Sequence, residues 1–337
     1  MILITGGTGF LGAHLLFKLL NEKQSVRAIY RNEKKLEHVK HIFSYYTEDA
    51  DALFNAIDWV KADLNDIPSL SEAFKSITHV YHCAAFVSFE PDKFDRLQKT
   101  NIEGTANIVN LCISENIKKL CYVSSIAAIG ASKLGIIATE ETEWNPEADN
   151  SVYAITKYGA ELEVWRGTQE GVDAVIVNPG VIIGPGIWAY GSGSIFKTIY
   201  KGATYYTSGT IALVAVDDVV KSMMQLMKSK LINERFILVA ENWTYKKFMK
   251  TIADALNTQP PEKEAKIWLL QLGWRLDWLT YQLFGKRRKL TKQLAHSLVS
   301  KTEYSSSKLK THLKTQFASI HESIRETASL FLKDKTN

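Results

Sequence analysis

The string Thr5-Gly-Gly-Thr-Gly-Phe-Leu-Gly12 constrains this chain more than any other feature. It follows a short apolar run, Ile2–Thr5, and opens an amphipathic stretch from Phe10 to about Leu20 with Leu11, Leu15, Leu16 and Leu19 on one side. Strand, glycine turn and helix in that order make a phosphate site. Gly6 and Gly9 let backbone N–H groups approach a pyrophosphate, and Gly12 lets the helix pack close to the sheet. The helix N-terminus, formed by Phe10 and Leu11, favours an anion. Such a string is weak evidence alone and becomes strong in this strand–turn–helix setting. A dinucleotide is therefore the expected ligand.

The rest of the first half repeats the alternation of short apolar runs with helical stretches. Strands are expected at Ile2–Thr5, Val26–Tyr30, Ile57–Ala62, His79–Cys83, Leu120–Ser124 and Ala174–Asn178. Long helices are expected over Lys93–Asn116 and Ser151–Thr168, and two short ones between Asn32 and Ala56. That pattern predicts an α/β fold, a doubly wound parallel sheet of the Rossmann kind. After Pro179 glycines and aromatics become frequent, one further strand is expected at Phe236–Ala240, and the chain ends in helical segments. The expected organisation is a dinucleotide-binding domain over residues 1–179, with 211–240 returning to it. A smaller, discontinuous C-terminal substrate lobe is expected, made mainly from 180–337. A chain of 337 residues with 46% hydrophobic side chains can bury both.

The end of the second strand chooses between dinucleotides. An NAD enzyme normally places a carboxylate there to accept from the ribose 2′-OH. Here Tyr30 stands in that place and Arg31 follows, with Lys34 and Lys35 nearby. A guanidinium suits a 2′-phosphate, so NADP(H) is favoured over NAD(H). Asp63 and Leu64, after the third strand, are placed against the adenine.

Tyr153 and Lys157 stand four residues apart in a helical stretch, which puts phenol and ammonium on one face. A phenol with an ordinary pKa near ~10 is a poor acid–base group at neutral pH. A neighbouring ammonium, aided by the positive nicotinamide of the oxidised cofactor, is expected to bring it down. Ser124 or Ser125 lies at the carboxyl edge of the sheet, where a hydroxyl can hold a substrate carbonyl.

Together these motifs resemble an extended short-chain dehydrogenase/reductase of the NAD-dependent epimerase/dehydratase superfamily. The resemblance also rests on His82-Cys-Ala-Ala85, Asn101-Ile-Glu-Gly-Thr105, Tyr122-Val-Ser-Ser125 leading to Gly130, Asn178 to Pro185, and Val216-Asp-Asp-Val219. It implies Ser125, five residues before the glycine, as the carbonyl holder. It also implies Tyr153 as proton donor or acceptor and Lys157 as its partner and nicotinamide-ribose ligand. Ala84 and Ala85 would line the inner side of the cofactor, and Pro179 to Ile182 its nicotinamide. The dehydratases of this superfamily have Asp-Glu after the catalytic serine or threonine, where this chain has Ile126-Ala127. The dihydroflavonol-reductase-like and 3β-hydroxysteroid-dehydrogenase-like branch often ends the second strand with arginine. The resemblance therefore implies an NADPH-dependent reductase of an apolar or aromatic ketone or aldehyde. An NAD-dependent sugar-nucleotide epimerase is the alternative. Phe86, Phe89, Trp188, Tyr190, Tyr205 and Tyr206 are expected to line or roof the pocket. In this family the helices corresponding to Lys93–Asn116 and Ser151–Thr168 often form a homodimer.

Other function classes have less behind them. A net charge of +5 without a recognition motif gives no reason to expect nucleic acid. Cys83, Cys112 and Cys121 lack metal-ligand spacing and sit in or beside apolar runs, as reduced core thiols do. With a strand beginning at Ile2, where a secretory leader would need a basic and then an apolar segment, a cytoplasmic enzyme is expected. The Trp-rich segment Ile267–Phe284 precedes Gly-Lys-Arg-Arg-Lys289. It is expected to pack over the pocket with a solvated basic end. The other reading is a helix on an anionic membrane surface, which would make the enzyme a sterol or lipid dehydrogenase. A cofactor-sensing regulator on the same fold would commonly have lost the tyrosine or lysine, and both are present.

Overall fold

The protein is described by a computed structural model covering residues 1–130, 135–285, 288 and 290–336. Its first half runs β1 (Ile2–Thr5), α1 (Phe10–Asn21), β2 (Val26–Tyr30), α2 (Leu36–Phe43), α3 (Ala50–Asn55) and β3 (Asp58–Lys61). It continues through α4 (Ile67–Phe74), β4 (His79–His82), α5 (Phe94–Leu97), α6 (Gly104–Ser114), β5 (Lys119–Val123) and α7 (Val152–Gln169). β6 (Ala174–Pro179), β7 (Val181–Ile183), α8 (Gly193–Tyr200), β8 (Tyr205–Tyr206), β9 (Thr210–Ala215) and α9 (Val216–Lys228) follow. The chain ends with β10 (Glu234–Leu238), β11 (Glu241–Thr244), α10 (Tyr245–Ala255), β12 (Lys263–Glu264), α11 (Ile267–Phe284), α12 (Lys292–Ser297), α13 (Ser307–Leu313) and α14 (Ile320–Thr336).

Seven strands form one parallel sheet in the order β10-β6-β5-β4-β1-β2-β3. The order reverses between β1 and β4, and open α/β sheets bind ligands at the carboxyl ends of strands beside such a reversal. Both sheet faces are covered, as the unbroken apolar runs require. Ile4 faces a layer with α1, α2 and α9, while its neighbour Leu3 faces one with α4, α6 and α7. Each fully buried leucine or isoleucine contributes about 2 kcal/mol. α1 is buried nearly all round rather than on one side, because α9 covers its far face with Val219, Val220 and Met223.

Gly180 turns the chain out of the sheet. An added Cβ there would stand 2.5 Å from the Ala212 carbonyl oxygen. β7 then joins a second sheet, β11-β9-β7, which packs on α8, α10 and α14. α9 and β10 return to the central sheet, β10 two residues earlier than the sequence suggests.

α11 differs from the expectation of a packed helix. Leu269, Leu270 and Trp274 seat on Ala265, Leu290, Ala295 and Val299, but Leu270 is its single buried residue. The opposite face is open. No helix among the described residues is long and apolar enough to cross a membrane.

Candidate active site

β1 delivers the chain into the glycine turn. Gly6 has φ +71°, and a Cβ there would stand 2.6 Å from the backbone nitrogen of Ala84. A Cβ on Gly12 would run into the Gly6 carbonyl oxygen, and the Gly9 N–H donates to that same oxygen at 2.9 Å. No side chain caps α1, and its first turn carries no acid. The result is a bare, electropositive backbone cradle that fits a pyrophosphate. Ala84 and Ala85 follow β4 directly opposite it. Their position is fixed by Thr5, whose hydroxyl accepts from the Ala84 N–H at 3.3 Å and lies 2.6 Å from His82 Nδ1. His82 Nε2 reaches the Thr105 hydroxyl on α6 at 3.0 Å. Burial, helped by the Lys157 charge, pushes the His82 pKa down to about 3, so it is a neutral strut and not a proton carrier.

At the end of β2 Tyr30 packs edge-on against Trp59, with ring centroids 6.2 Å apart. Arg31 and Asp63 meet there. The guanidinium donates to the carboxylate at 3.2 Å, with both side chains about half exposed. Burial alone would raise the Asp63 pKa, but the Asn65 N–H and then Arg31 outweigh it and hold the carboxyl below its ordinary value. Leu64 is buried against Gly104, and its carbonyl accepts from Asn107 at 2.8 Å. Pro179 is buried at the end of β6 and Ile182 half-buried on β7.

Ser125, Tyr153 and Lys157 come together at the carboxyl edge of β5. Ser151 caps α7 by accepting from the Ala154 N–H at 3.1 Å, which starts the helix at Val152, one residue before Tyr153. Ser124 commits its hydroxyl to Glu161 at 2.7 Å, whereas the Ser125 hydroxyl acts on the Tyr153 phenol. The phenol differs from expectation. Desolvation pushes its pKa up to about 12, and the Ser125 hydroxyl pulls it only partly back. Lys157 is not its neighbour in charge, because the ammonium donates to Tyr122 Oη at 2.8 Å and to the Val123 carbonyl at 2.7 Å. Burial lowers the Lys157 pKa to about 7, against the opposing pull of Glu161 and Cys83.

The aromatic residues separate. Phe89 stands edge-on to Tyr153 at 5.5 Å, beside the acid–base group. Phe86 stacks under Arg96. Trp188 does not roof the site: its indole N–H donates to Asp334 on α14 at 2.7 Å, and its ring packs on Phe331. Tyr190 and Phe10 line a cavity of about 50 Å³ with Gly184 and Ile187. Tyr205 and Tyr206 form β8, which pairs with β12.

Three residues to which the sequence reading assigns no role, Asn101, Glu161 and Tyr122, support the site. Asn101 holds the loop after β4, accepting from the Phe86 N–H at 2.8 Å and donating to the Phe86 carbonyl at 3.0 Å. It reaches that loop from a π-helical segment, Gln98–Glu103, a distortion common at functional sites. Glu161 accepts from Asn178 at 2.9 Å and from Arg235 at 3.1 Å, and Asn178 also donates to the Ser125 carbonyl at 3.0 Å. The signal for Glu161 was present, since it continues the four-residue ladder from Tyr153 through Lys157. Tyr122 opens the Tyr122-Val-Ser-Ser125 motif, but nothing in that motif marks its phenol as the partner of Lys157.

Comparison with known proteins places these features. The family model described as "NAD dependent epimerase/dehydratase family" matches residues 2–237. A candidate dihydroflavonol 4-reductase of Synechocystis sp. is 30% identical over 278 residues, covering 80% of this chain and 77% of its own. Sterol demethylase protein B of Methylococcus capsulatus is 28% identical over 246 residues, covering 72% and 70%. UDP-glucose 4-epimerase of Thermotoga maritima, solved with UDP-glucose, superposes with a TM-score of 0.78 at 20% identity over 99% of both chains.

Proposed function

The chain belongs to the NAD dependent epimerase/dehydratase family and is an NAD(P)-dependent enzyme of the extended short-chain dehydrogenase/reductase type; from that premise we propose that it reduces an apolar or aromatic ketone or aldehyde with NADPH. The observation that carries the choice is the end of β2, where Tyr30 and Arg31 stand in place of a carboxylate. A 2′-phosphate would take the Arg31 guanidinium from Asp63, and the exposure of both side chains leaves room for that exchange. The relatives named for a dihydroflavonol and a sterol support an apolar ring compound as substrate. Phe89 on Tyr153 supports the same class.

In this reading the cradle at Gly6, Gly9, Phe10, Leu11 and Gly12 holds the pyrophosphate. Asp63 and Leu64 face the adenine, Ala84 and Ala85 the inner edge, and Pro179 and Ile182 the nicotinamide end. NADPH supplies a hydride to the carbonyl carbon. Ser125 donates a hydrogen bond to the carbonyl oxygen and fixes its direction, and Tyr153 gives that oxygen the proton that completes the alcohol. A phenol kept neutral by burial is suited to donate. Lys157, whose ammonium stands on Tyr122 and the Val123 carbonyl, would hold the nicotinamide ribose. Residues 180–337 supply most of the substrate lobe. The exposed Ile155 and Leu162, seven residues apart on α7, supply part of a homodimer face with α6.

Fluorescence titration of cofactor-stripped protein with NADPH and NADH in parallel tests the proposal. NADPH should bind more tightly, and Arg31→Ala should weaken it about tenfold to a hundredfold with little effect on NADH. Equal affinities, or NAD retained through purification, would overturn it in favour of a sugar-nucleotide epimerase. The likeness to UDP-glucose 4-epimerase supports that second reading.

A further inference from the structure

α11 is apolar on both sides, yet among the described residues only one side packs on a neighbouring element. Leu269, Leu270 and Trp274 face the α12 segment. On the opposite side Trp268, Leu272, Leu276, Leu279 and Leu283 follow one another at spacings of three and four, which keeps them on one stripe along about 22 Å of helix. All five are exposed, Trp268 by 62% and Leu283 by 65%. A helix apolar all round belongs in a buried setting. Solvated stripes of this length mark surfaces that something covers.

Charge identifies what covers it. From Lys266 to Lys292 the sequence carries seven basic residues and a single acid, Asp277. That acid lies on the packed side, 3.6 Å from Arg288 and accepting from the Leu290 N–H. Lys286, Arg287 and Lys289 lie outside the described residues and enter as charge in the sequence. A second copy of this chain joined along the stripe would offer that basic cluster no acidic partner on α11, whose one acid is turned to the packed side. An anionic lipid surface attracts the cluster, while tryptophans such as Trp268 and Trp278 favour the headgroup boundary.

We propose that α11 docks the protein on an anionic phospholipid bilayer, its Trp268–Leu283 stripe in the headgroup–acyl boundary and its basic end against the phosphates. The helix lies in the plane of the membrane and does not cross it. The α12 segment on which the other side of α11 packs is tied to the loop before Tyr153 through Lys292 and Asp149 at 3.2 Å. The surface would bind lipid whatever the active site reduces.

Co-sedimentation of the full chain with vesicles tests this. Equimolar phosphatidylcholine and phosphatidylglycerol should pellet the protein at low salt, pure phosphatidylcholine should not, and high salt should weaken the binding. The double variant Leu276→Glu, Leu283→Glu should bind at least about tenfold more weakly, since it removes apolar contact and adds repulsion. Its thermal midpoint and NADPH titration should match those of the parent, which separates lost docking from lost folding. Lys286→Glu with Arg287→Glu should reduce anionic binding without touching the stripe. The proposal is overturned by no pelleting with anionic vesicles at low salt, or by equal binding of the stripe variant. Equal binding to pure phosphatidylcholine, or a dimer in sedimentation velocity that the stripe variant dissociates, would overturn it too.

Discussion

Lys157 is the residue at which burial and charge are most directly opposed. Desolvation lowers its pKa to about 7, with Glu161 and Cys83 pulling the other way. Its folded value lies below its unfolded one, so the stability linked to this group is present above the unfolded pKa and is lost as pH falls through about 7. Lysine side-chain carbon NMR on cofactor-free protein should show one resonance titrating near 7, absent in Lys157→Met. A midpoint near the ordinary lysine value would mean that the ammonium is solvated, and would remove the argument. For Tyr153 the prediction concerns chemistry. Tyr153→Phe should lower turnover by about a hundredfold or more while NADPH affinity changes little, because the ring that packs on Phe89 is kept and only the proton is lost. Comparable losses in turnover and affinity would assign the phenol to cofactor binding instead. The spacing of Tyr153 and Lys157 could be read from the sequence, but the direction of the phenol's shift could not. That direction comes from desolvation of the buried phenol, and Lys157, whose ammonium is held by Tyr122 and Val123 of β5, does not offset it.

At the scale of elements, the turn between β1 and α1 is built on a contact that tolerates no side chain. Gly12→Ala would press a methyl group onto the Gly6 carbonyl, a backbone atom that cannot swing aside. It should cost about 2 kcal/mol or more in stability and abolish dinucleotide binding, read as a lower thermal midpoint and a flat fluorescence titration. A variant that bound NADPH normally would show that the helix can withdraw from the turn. The seven strands of the parallel sheet were legible because they are short apolar runs bounded by turn residues, with helices between them, whereas β7, β8, β9, β11 and β12 were not read as strands. The π-segment at Gln98–Glu103 was not legible. Its apolar spacing runs on into α6 without a break, and what it accomplishes is long-range: it carries Asn101 to the backbone of Phe86. The open face of α11 was hidden for a related reason. Hydrophobic spacing reports that a helix wants partners and not how many it finds, so the packed side at Leu270 and the bare side at Leu276 look alike in the sequence.

At the scale of the whole molecule, the last helix is tied back to the first half of the chain by one carboxylate. Asp334 on α14 accepts from Trp188, between β7 and α8, at 2.7 Å and from His41 on α2 at 2.9 Å, and Tyr45 donates to the same oxygen. Three donors on one oxygen join regions nearly three hundred residues apart in the chain, and two of the three lie at or just after α2. Burial would raise the pKa of Asp334, but the hydrogen bonds from Tyr45, Trp188 and His41 outweigh it and hold the carboxyl below its ordinary value. The sign follows from that depression: the stabilisation is present above the unfolded carboxyl pKa and is lost as pH falls through the lower folded one. Asp334→Asn keeps the shape and one acceptor but removes the charge, and should lower stability by about 2 kcal/mol at neutral pH. The difference from the parent should begin to shrink below about pH 4, where the unfolded chain's carboxyl takes up a proton, and should be gone once the pH lies below the lower folded value. Denaturant unfolding of both proteins at neutral and acidic pH measures it. A gap that stayed constant with pH would mean that packing of Trp188 on Phe331, and not the charge, holds α14 in place.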